Sequence, residues 1–369
     1  MASFGVVSYN IHCNFTNYGS ALQSWALCRA IGQLGHRAVL VDYCPDCLKD
    51  KDPLNPMKNM WDTDAESRRM CELSLPAIRE NYAKFDRFYT EAFERTKTLY
   101  TRENFDQIVE NENLDGFVCG SDTVFCIDEF GFDDGYYANY PVMKNGYAVS
   151  YAASFGDAHF DEKTYPILNE RLQNFKALAI RENSMLEYLK SHTSVPVKRV
   201  VDPTLLLSKS DFDTIAAPRQ EEGKYLLLYA RRHNPKMTKY AEDLAEKNGW
   251  KVIEISLRAT QAEKHRMFYE AGVEEFLSLV KHAEFVVTNS FHGMILSVQY
   301  RTKFVIFSRE QCDNKIDELL DLFGLRDRKM IDGSEAISED IDYGAVHSNI
   351  DSARKESLAF LKQELDNCR

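Results

Sequence analysis

The residues best suited to chemistry in this chain stand where short apolar runs stop. Thr288-Asn289-Ser290-Phe291-His292-Gly293 follows Phe285-Val286-Val287 and precedes a helical pattern that reaches Tyr300. A strand-to-helix turn aims backbone N–H groups and the positive end of a helix dipole at its ligand, which suits a phosphate or a carboxylate. His292 falls in the first helical turn, able to bond an anion or to move a proton near neutral pH, although a lone histidine equally suits a structural role. Ser290 or Asn289 also suits a plain helix cap. Arg181-Glu182 ends the run Ala177 to Ile180. A guanidinium there can grip a carboxylate or phosphate through two bonds, with Glu182 as its partner or as an acid/base. The bland alternative is a surface ion pair worth roughly 0–1 kcal/mol. Gly120-Ser121-Asp122 follows Gly116 to Cys119, where Asp122 could orient a sugar hydroxyl or accept its proton, or simply form a turn. Asn17, Tyr18 and Gly19, in the loop before the first helical pattern, suit hydroxyl-rich ligands and a capped helix entry alike.

Several function classes drop out. The 369 residues carry 45 Lys+Arg against 57 Asp+Glu, a formal net charge of −12, which argues against a general nucleic-acid binder. An anionic ligand must therefore meet a local cationic cluster within a negative field. Neither Gly-x-Gly-x-x-Gly after a strand nor a P-loop pattern is present, so dinucleotide and P-loop nucleotide readings lose their main support. Nine scattered cysteines (Cys13, Cys28, Cys44, Cys47, Cys71, Cys119, Cys126, Cys312, Cys368) fit reduced thiols. Cys44 and Cys47 form a Cys-x-x-Cys with no second pair to complete a metal site, and no cofactor is expected. No stretch has the 18 apolar residues of a membrane span, and Met1 to Gly5 lacks the basic start of a signal peptide, so a cytoplasmic location is expected.

The elements that must position these residues alternate between strand and helix. Gly5 to Tyr9, a helix marked by Leu22, Ala26, Ala30 and Leu34 and ended by Gly35, and Ala38 to Tyr43 predict a right-handed β-α-β unit. Residues 45–112 read as a polar helical excursion, with Ile78, Tyr82, Phe85 and Tyr89 at 3–4 spacing. Strands are expected at Gly116 to Cys119, Tyr147 to Ala152, Ala177 to Ile180 and Val197 to Val201. After a linker at 216–224 the alternation resumes: strands Tyr225 to Tyr229, Lys251 to Ile255, Phe285 to Thr288 and Phe304 to Phe307, with helices at 235–248, 273–282 and 291–300. A closing helix is expected over Ser352 to Leu365. The expected divisions are an N-terminal Rossmann-like domain at 1–215, a second at 216–345 and a C-terminal helix in 346–369 that packs back. Two α/β domains imply a cleft between them, the usual place for a two-substrate site.

Taken in order, six blocks resemble the polysaccharide pyruvyl transferase family: Asn17-Tyr18-Gly19 with Leu22-Gln23, Gly120-Ser121-Asp122, Ser150 to Gly156, Arg181-Glu182, Val201 to Leu206, and Thr288 to Gly293. The resemblance implies a GT-B-like pair of Rossmann-like domains facing a cleft, the first on the acceptor side and the second on the donor side. It implies transfer of the enolpyruvyl group of phosphoenolpyruvate onto two hydroxyls of a glycan or lipid-linked sugar, in a cell-wall or exopolysaccharide precursor. A cyclic pyruvate ketal forms and phosphate is released. On this reading Arg181, Asn289, Ser290, Phe291 and Gly293 hold the donor, and His292, Asp122 and Glu182 handle protons. Asn17, Tyr18, Gly19 and Ser121 meet the acceptor. Some members carry Arg two residues before the His, where Ser290 stands here, so Lys315, or Arg309 in the loop 308–314, would supply the missing charge. Thr123 and Phe125 replace the frequent Gln and Trp after Gly-Ser-Asp, which implies a different acceptor pocket. The rival readings are a nucleotide-sugar glycosyltransferase using Glu254 and Phe276 for ribose and base, and a non-catalytic glycan or anion binder.

Overall fold

A computed structural model describes residues 1–55, 65–257, 259, 261–309, 313–338 and 340–368. Cys312 and parts of the 45–112 excursion and of the loop 308–314 lie outside the described residues. The strands of the first sheet are β1 (Ser3–Val7), β2 (Arg37–Leu40), β3 (Gly116–Cys119), β4 (Ala148–Ala153), β5 (Ala177–Ile180) and β6 (Val197–Arg199), ordered β2-β1-β3-β4-β5-β6. Those of the second are β7 (Tyr225–Tyr229), β8 (Lys251–Ile255), β9 (Arg266–Met267), β10 (Phe285–Thr288), β11 (Phe304–Phe307) and β12 (Lys329–Met330), ordered β12-β11-β10-β7-β8-β9. Every pairing is parallel. This is α/β architecture of the GT-B kind, two Rossmann-like sheets with helices. Helices cover both faces, so the central strands read as unbroken apolar runs such as Leu226-Leu227-Leu228, all buried.

Strand order reverses once in each sheet, between β1 and β3 and between β7 and β10, and ligands of open α/β sheets bind beyond the carboxyl ends of strands at such points. Both reversals open toward the same gap between the lobes. The helix Tyr18–Gln33 lies across it. Its expected amphipathic pattern holds only for its end: from Tyr18 to Leu27 every residue is buried, because this half of the helix is sandwiched between its own sheet and the second lobe. Tyr18 stacks on Phe276 at 4.3 Å and meets Tyr229 edge-on at 5.8 Å. Gly35, at φ +91, supplies the left-handed residue that ends the helix.

Several expectations shift. β1 stops at Val7, not Tyr9; the following Ser8 side chain joins a buried network in which Gln23 Nε2 donates to Ser8 Oγ at 2.8 Å. β2 ends at Leu40 and β6 at Arg199. The helix Asp313–Phe323 was not foreseen, although Ile316, Leu319, Leu320 and Phe323 give it a buried face at helical spacing. The helical excursion is also more than a surface ornament. Its helix Leu75–Glu91 reaches the second lobe, where Asn81 Nδ2 donates to Ala271 O at 2.5 Å and Lys84 pairs with Glu275 at 2.8 Å. The closing helix runs from Tyr343, capped by Asp342, to Asp366. Tyr343 donates to Thr302 O of the second lobe at 2.6 Å, and Tyr147 of the first lobe donates to Glu364 O at 2.7 Å. It therefore ties the two halves. No described helix is long and apolar enough to cross a membrane, and no described His, Cys, Asp and Glu side chains gather as a metal site.

Candidate functional site in the cleft between the lobes

A cavity of about 800 Å³ opens at the two strand-order reversals. From the first lobe it receives Tyr9, Asn17, Tyr18, Asp122, Glu129 and Arg181; from the second, Tyr229, Arg231, Ser290, Phe291, His292, Arg309 and Lys315. Arg181 and His292, far apart in sequence and on different sheets, thus face one hollow.

Asp202 binds them together. This carboxylate, 2% exposed, accepts from Arg181 Nη1 at 2.9 Å through Oδ2, and the same oxygen lies 3.4 Å from His292 Nε2. Its Oδ1 accepts from Thr204 N at 3.0 Å and Thr204 Oγ1 at 2.7 Å. Burial alone would raise its pKa, yet the nearby His292 and Arg181 and the Thr204 bond hold it well below the usual carboxylate range. Arg181 also lies 3.6 Å from Glu182 and 4.7 Å over the Phe291 ring, a cation–π contact across the lobes. The Arg181 Nε and His292 Nε2 atoms are buried without a hydrogen-bond partner. His292 is held from the other side by Gly19, where a Cβ would fall 2.7 Å from His292 Cγ and 2.9 Å from Cε1. Glycine is there because the imidazole rests on its Cα.

The loop Gly120 to Thr123 is held to the end of β4, where Asp122 bridges Ala153 and Ser154 N donates to Asp122 O at 2.9 Å. Asp122 reaches the cavity with Oδ2 accepting from Ser20 Oγ at 2.6 Å and Oδ1 from Thr123 N at 3.0 Å. Burial pulls its pKa upward, but Arg181, His292, the Ser20 hydroxyl and Lys315 together bring it below the ordinary value. Lys315, in the first turns of the helix Asp313–Phe323, makes no hydrogen bond or ion pair with a described residue.

The structure gives other singled-out residues supporting places. Ser290 caps the helix Phe291–Tyr300, accepting from Gly293 N at 3.2 Å, and Gly293 is packed against Thr288 and Tyr229. Asn289 does not line the cavity: its Oδ1 accepts from Arg231 N at 2.8 Å and its Nδ2 donates to Arg232 O at 2.7 Å, joining the loops after β7 and β10. Ser121 is fully buried and donates to Ala152 O at 3.1 Å. Glu182 turns from the cavity to hold the next turn, its Oε1 accepting from Ser154 Oγ at 2.6 Å and Phe155 N at 2.8 Å. Asn17 caps the first helix from the cavity wall, and the Tyr18 hydroxyl donates to Ala271 O at 2.7 Å. Glu254 is buried against His265 at 2.7 Å and Phe276 against Tyr18, so neither is placed to hold a nucleotide.

Arg231 and Glu129 are among the cavity residues that the sequence reading did not single out. Arg231 lies 4.6 Å over the Phe15 ring among Tyr9, Tyr229 and Tyr269; the signal was the triplet Arg231-Arg232-His233 directly after β7 and before the capped helix Pro235–Asn248. Glu129, on the short helix Ile127–Phe130, accepts from Thr123 Oγ1 at 2.8 Å.

A family model described as polysaccharide pyruvyl transferase matches residues 17–311, a span that contains Asp122, Glu129, Arg181, Asp202, Arg231 and His292 but not Tyr9, Phe15 or Lys315. The chain belongs to the polysaccharide pyruvyl transferase family. Membership makes it a transferase by family. A comparison with curated proteins gives no match. Among solved structures, it is similar to the S. aureus MnaA–UDP co-structure at 13% identity and TM-score 0.49, covering 96% of this chain and 88% of that one. UDP-N-acetylglucosamine 2-epimerase from Rickettsia bellii is similar at 13% identity and TM-score 0.49, covering 100% and 97%. The Neisseria meningitidis UDP-GlcNAc 2-epimerase bound to UDP-GlcNAc is similar at 9% identity and TM-score 0.46, covering 100% and 94%. The strand order, not these distant likenesses, defines the fold.

Proposed function

We propose that the cavity binds phosphoenolpyruvate and transfers its enolpyruvyl group onto two hydroxyls of a sugar in a cell-surface glycan precursor. The observation that carries this reading is the polarity of the cavity. Its second-lobe wall bears the cations Arg231, Arg309 and Lys315 beside His292, and Arg181 reaches in from the first lobe; its first-lobe wall bears Asp122, Glu129 and Tyr9. A donor with a phosphate and a carboxylate suits the first set, and a hydroxyl-rich acceptor suits the second. Residues 216–345 would then be the donor side, residues 1–215 the acceptor side, and 346–369 the strap between them.

Arg181 would take the donor carboxylate or phosphate with the part of its fork that Asp202 does not use, oriented by the Phe291 ring beneath it. The N-terminus of the helix Phe291–Tyr300, capped by Ser290 and ending in no acidic first turn, adds its dipole. Lys315 and Arg231 would supply the charge absent at Ser290. His292, between Asp202 and Gly19, is placed to protonate the departing phosphate. Asp122, ionised and fixed by Ser20, would accept bonds from sugar hydroxyls. Thermal-shift titration tests the donor. A ligand that binds only the folded state at 100 times its Kd adds about 2.7 kcal/mol of stability. Phosphoenolpyruvate is expected to raise the melting temperature and UDP-GlcNAc is not. The reverse result would favour a nucleotide-sugar enzyme and end this reading.

A further inference from the structure

We propose that Glu129 is the proton carrier of the transfer, an assignment that rests on the phosphoenolpyruvate reading of the cavity. The chemistry requires one group that both gives and takes a proton. The donor's methylene carbon must gain a proton to become the ketal methyl, and the first sugar hydroxyl must lose one as its oxygen bonds to the neighbouring carbon. A single carboxyl meets both demands. Its O–H proton passes to the methylene carbon, leaving a carboxylate and an oxocarbenium centre. The hydroxyl oxygen adds to that centre and its proton restores the carboxyl. The carbon–oxygen bond to phosphate then breaks with a proton from His292, the second hydroxyl adds at the same carbon, and its proton restores His292.

The carboxyls around the cavity differ in their freedom to do this. Asp202 is pinned through both oxygens by Arg181 and Thr204 and, like Glu182, does not line the cavity; Glu182 is bonded through Oε1 to Ser154 and Phe155; and Asp128, which does line it, spends Oδ2 on both the backbone N–H and Nδ1 of His159. Asp122 has both oxygens bonded and is held ionised. Glu129 differs: Thr123 Oγ1 donates to Oε2 at 2.8 Å and fixes the group, while the side chain stays open to the cleft. It stands on the same wall as Asp122, facing Lys315 and Arg309. The surrounding protein, and secondarily the like charge of Asp122, raise its pKa above the ordinary glutamate value despite the Thr123 bond and the two cations. That shift is in the direction a proton donor needs. Thr123 is the positioning residue: it stands where the family often has Gln, and its hydroxyl aims the acid.

The experiment uses the full chain with phosphoenolpyruvate in D2O, alone and with methyl hexopyranosides bearing free 4- and 6-hydroxyls. Proton NMR follows loss of the vinyl signals, and a coupled assay follows phosphate. Wild type is expected to exchange the vinyl protons and to release phosphate. Glu129→Gln is expected to bind phosphoenolpyruvate within threefold of wild type, to melt within 2 °C of it, and to lose both exchange and phosphate release at least 100-fold. Thr123→Val is expected to lower kcat with the donor KM unchanged, and Thr123→Ser to restore it. Glu129→Gln that keeps exchange within threefold, or that fails through lost donor binding, overturns the assignment while leaving the donor reading intact. Wild type that neither binds phosphoenolpyruvate nor exchanges its protons overturns the donor reading, and this assignment falls with it.

Discussion

Asp202→Asn separates the structural from the chemical work of the buried charge cluster. The carboxylate, 2% exposed, is the counter-ion of Arg181 at 2.9 Å and lies 3.4 Å from His292 Nε2. Removing one partner of a buried pair costs about 3–5 kcal/mol because the other charge is left without compensation. Asparagine keeps an oxygen for the Thr204 N–H, and Glu182 remains 3.6 Å from Arg181, so the lower end, about 3 kcal/mol, applies. For a lobe of about 200 residues that is a fall in melting temperature of roughly 6–12 °C. The pH dependence fixes the cause. The folded-state carboxyl titrates below its unfolded value, so its contribution is fully present above about pH 4 and fades as pH falls toward the folded pKa. The gap between wild type and variant should therefore be constant from pH 8 to pH 5 and narrow below pH 4, measured by circular dichroism melts in matched buffers. Phosphoenolpyruvate should bind the variant no more weakly, since a negative charge has left the neighbourhood of Arg181 and His292, while phosphate release slows at least tenfold because His292 has lost the group beside its Nε2. Equal melting temperatures at pH 7, or a gap that persists unchanged at pH 3, would refute the argument.

Other substitutions probe the same frame. Gly19→Ala places a methyl group in the His292 ring and should cost about 1–3 kcal/mol and most of the activity, whereas Gly32→Ala, with open space around it on the same helix, should stabilise by about 0.5–1 kcal/mol; chemical denaturation of the pair compares them. His12, 2.7 Å from Asp42, titrates at about 9: burial opposes its charge, but the Asp42 bond and the Cys44 contact outweigh that. A raised folded pKa contributes stability that is whole below pH 6.5 and lost as pH climbs through 9, so His12→Gln should cost up to about 3 kcal/mol at pH 6 and little at pH 10. Tyr18→Phe removes the hydroxyl that donates to Ala271 O and accepts from Asn81; a loss of about 1–2 kcal/mol and weaker donor affinity are expected by calorimetry.

Most strands were legible in the sequence because parallel strands covered on both faces read as uninterrupted apolar runs; β3, β5, β7, β8, β10 and β11 begin and end where the pattern does. What escaped lay in elements whose partners are remote. The helix Asp313–Phe323 hides its periodicity behind a polar start, and β9 and β12 are two-residue edges with no room for a pattern. At the site, residues following strand ends were found by position, which is why Arg181, Asp122 and His292 meet one cavity. Position alone could not say which way a side chain turns. Asn289 and Ser121 sit in the right loops and spend their atoms on backbone groups of those same loops, and Glu182 braces the turn after β4. Arg231 went unseen because a basic triplet after a strand looks like solvated loop until Phe15, distant in sequence, is placed beneath it.

The division of the cluster between the lobes has an energetic consequence. Arg181 and Asp202 come from the first lobe and His292 and Phe291 from the second, so the cationic hollow exists only while the lobes are in contact. That contact includes Tyr18 on Phe276 and Ala271, Gln299 on Thr204 and Leu207, Asn81 on Ala271 and Lys84 on Glu275, the last two from a helix of the excursion that joins β2 to β3. The insertion therefore belongs to the site although no atom of its helix Leu75–Glu91 lines the cavity. Docking it and assembling the anion pocket are one equilibrium, and an anion bound between Arg181 and His292 must stabilise the lobe contact by the free energy that the contact lends to binding. Loosening Asn81 or Lys84 should for that reason weaken donor affinity and interface stability in proportion, whereas substitutions on the exposed face of the same helix, such as Arg79→Ala, should alter neither.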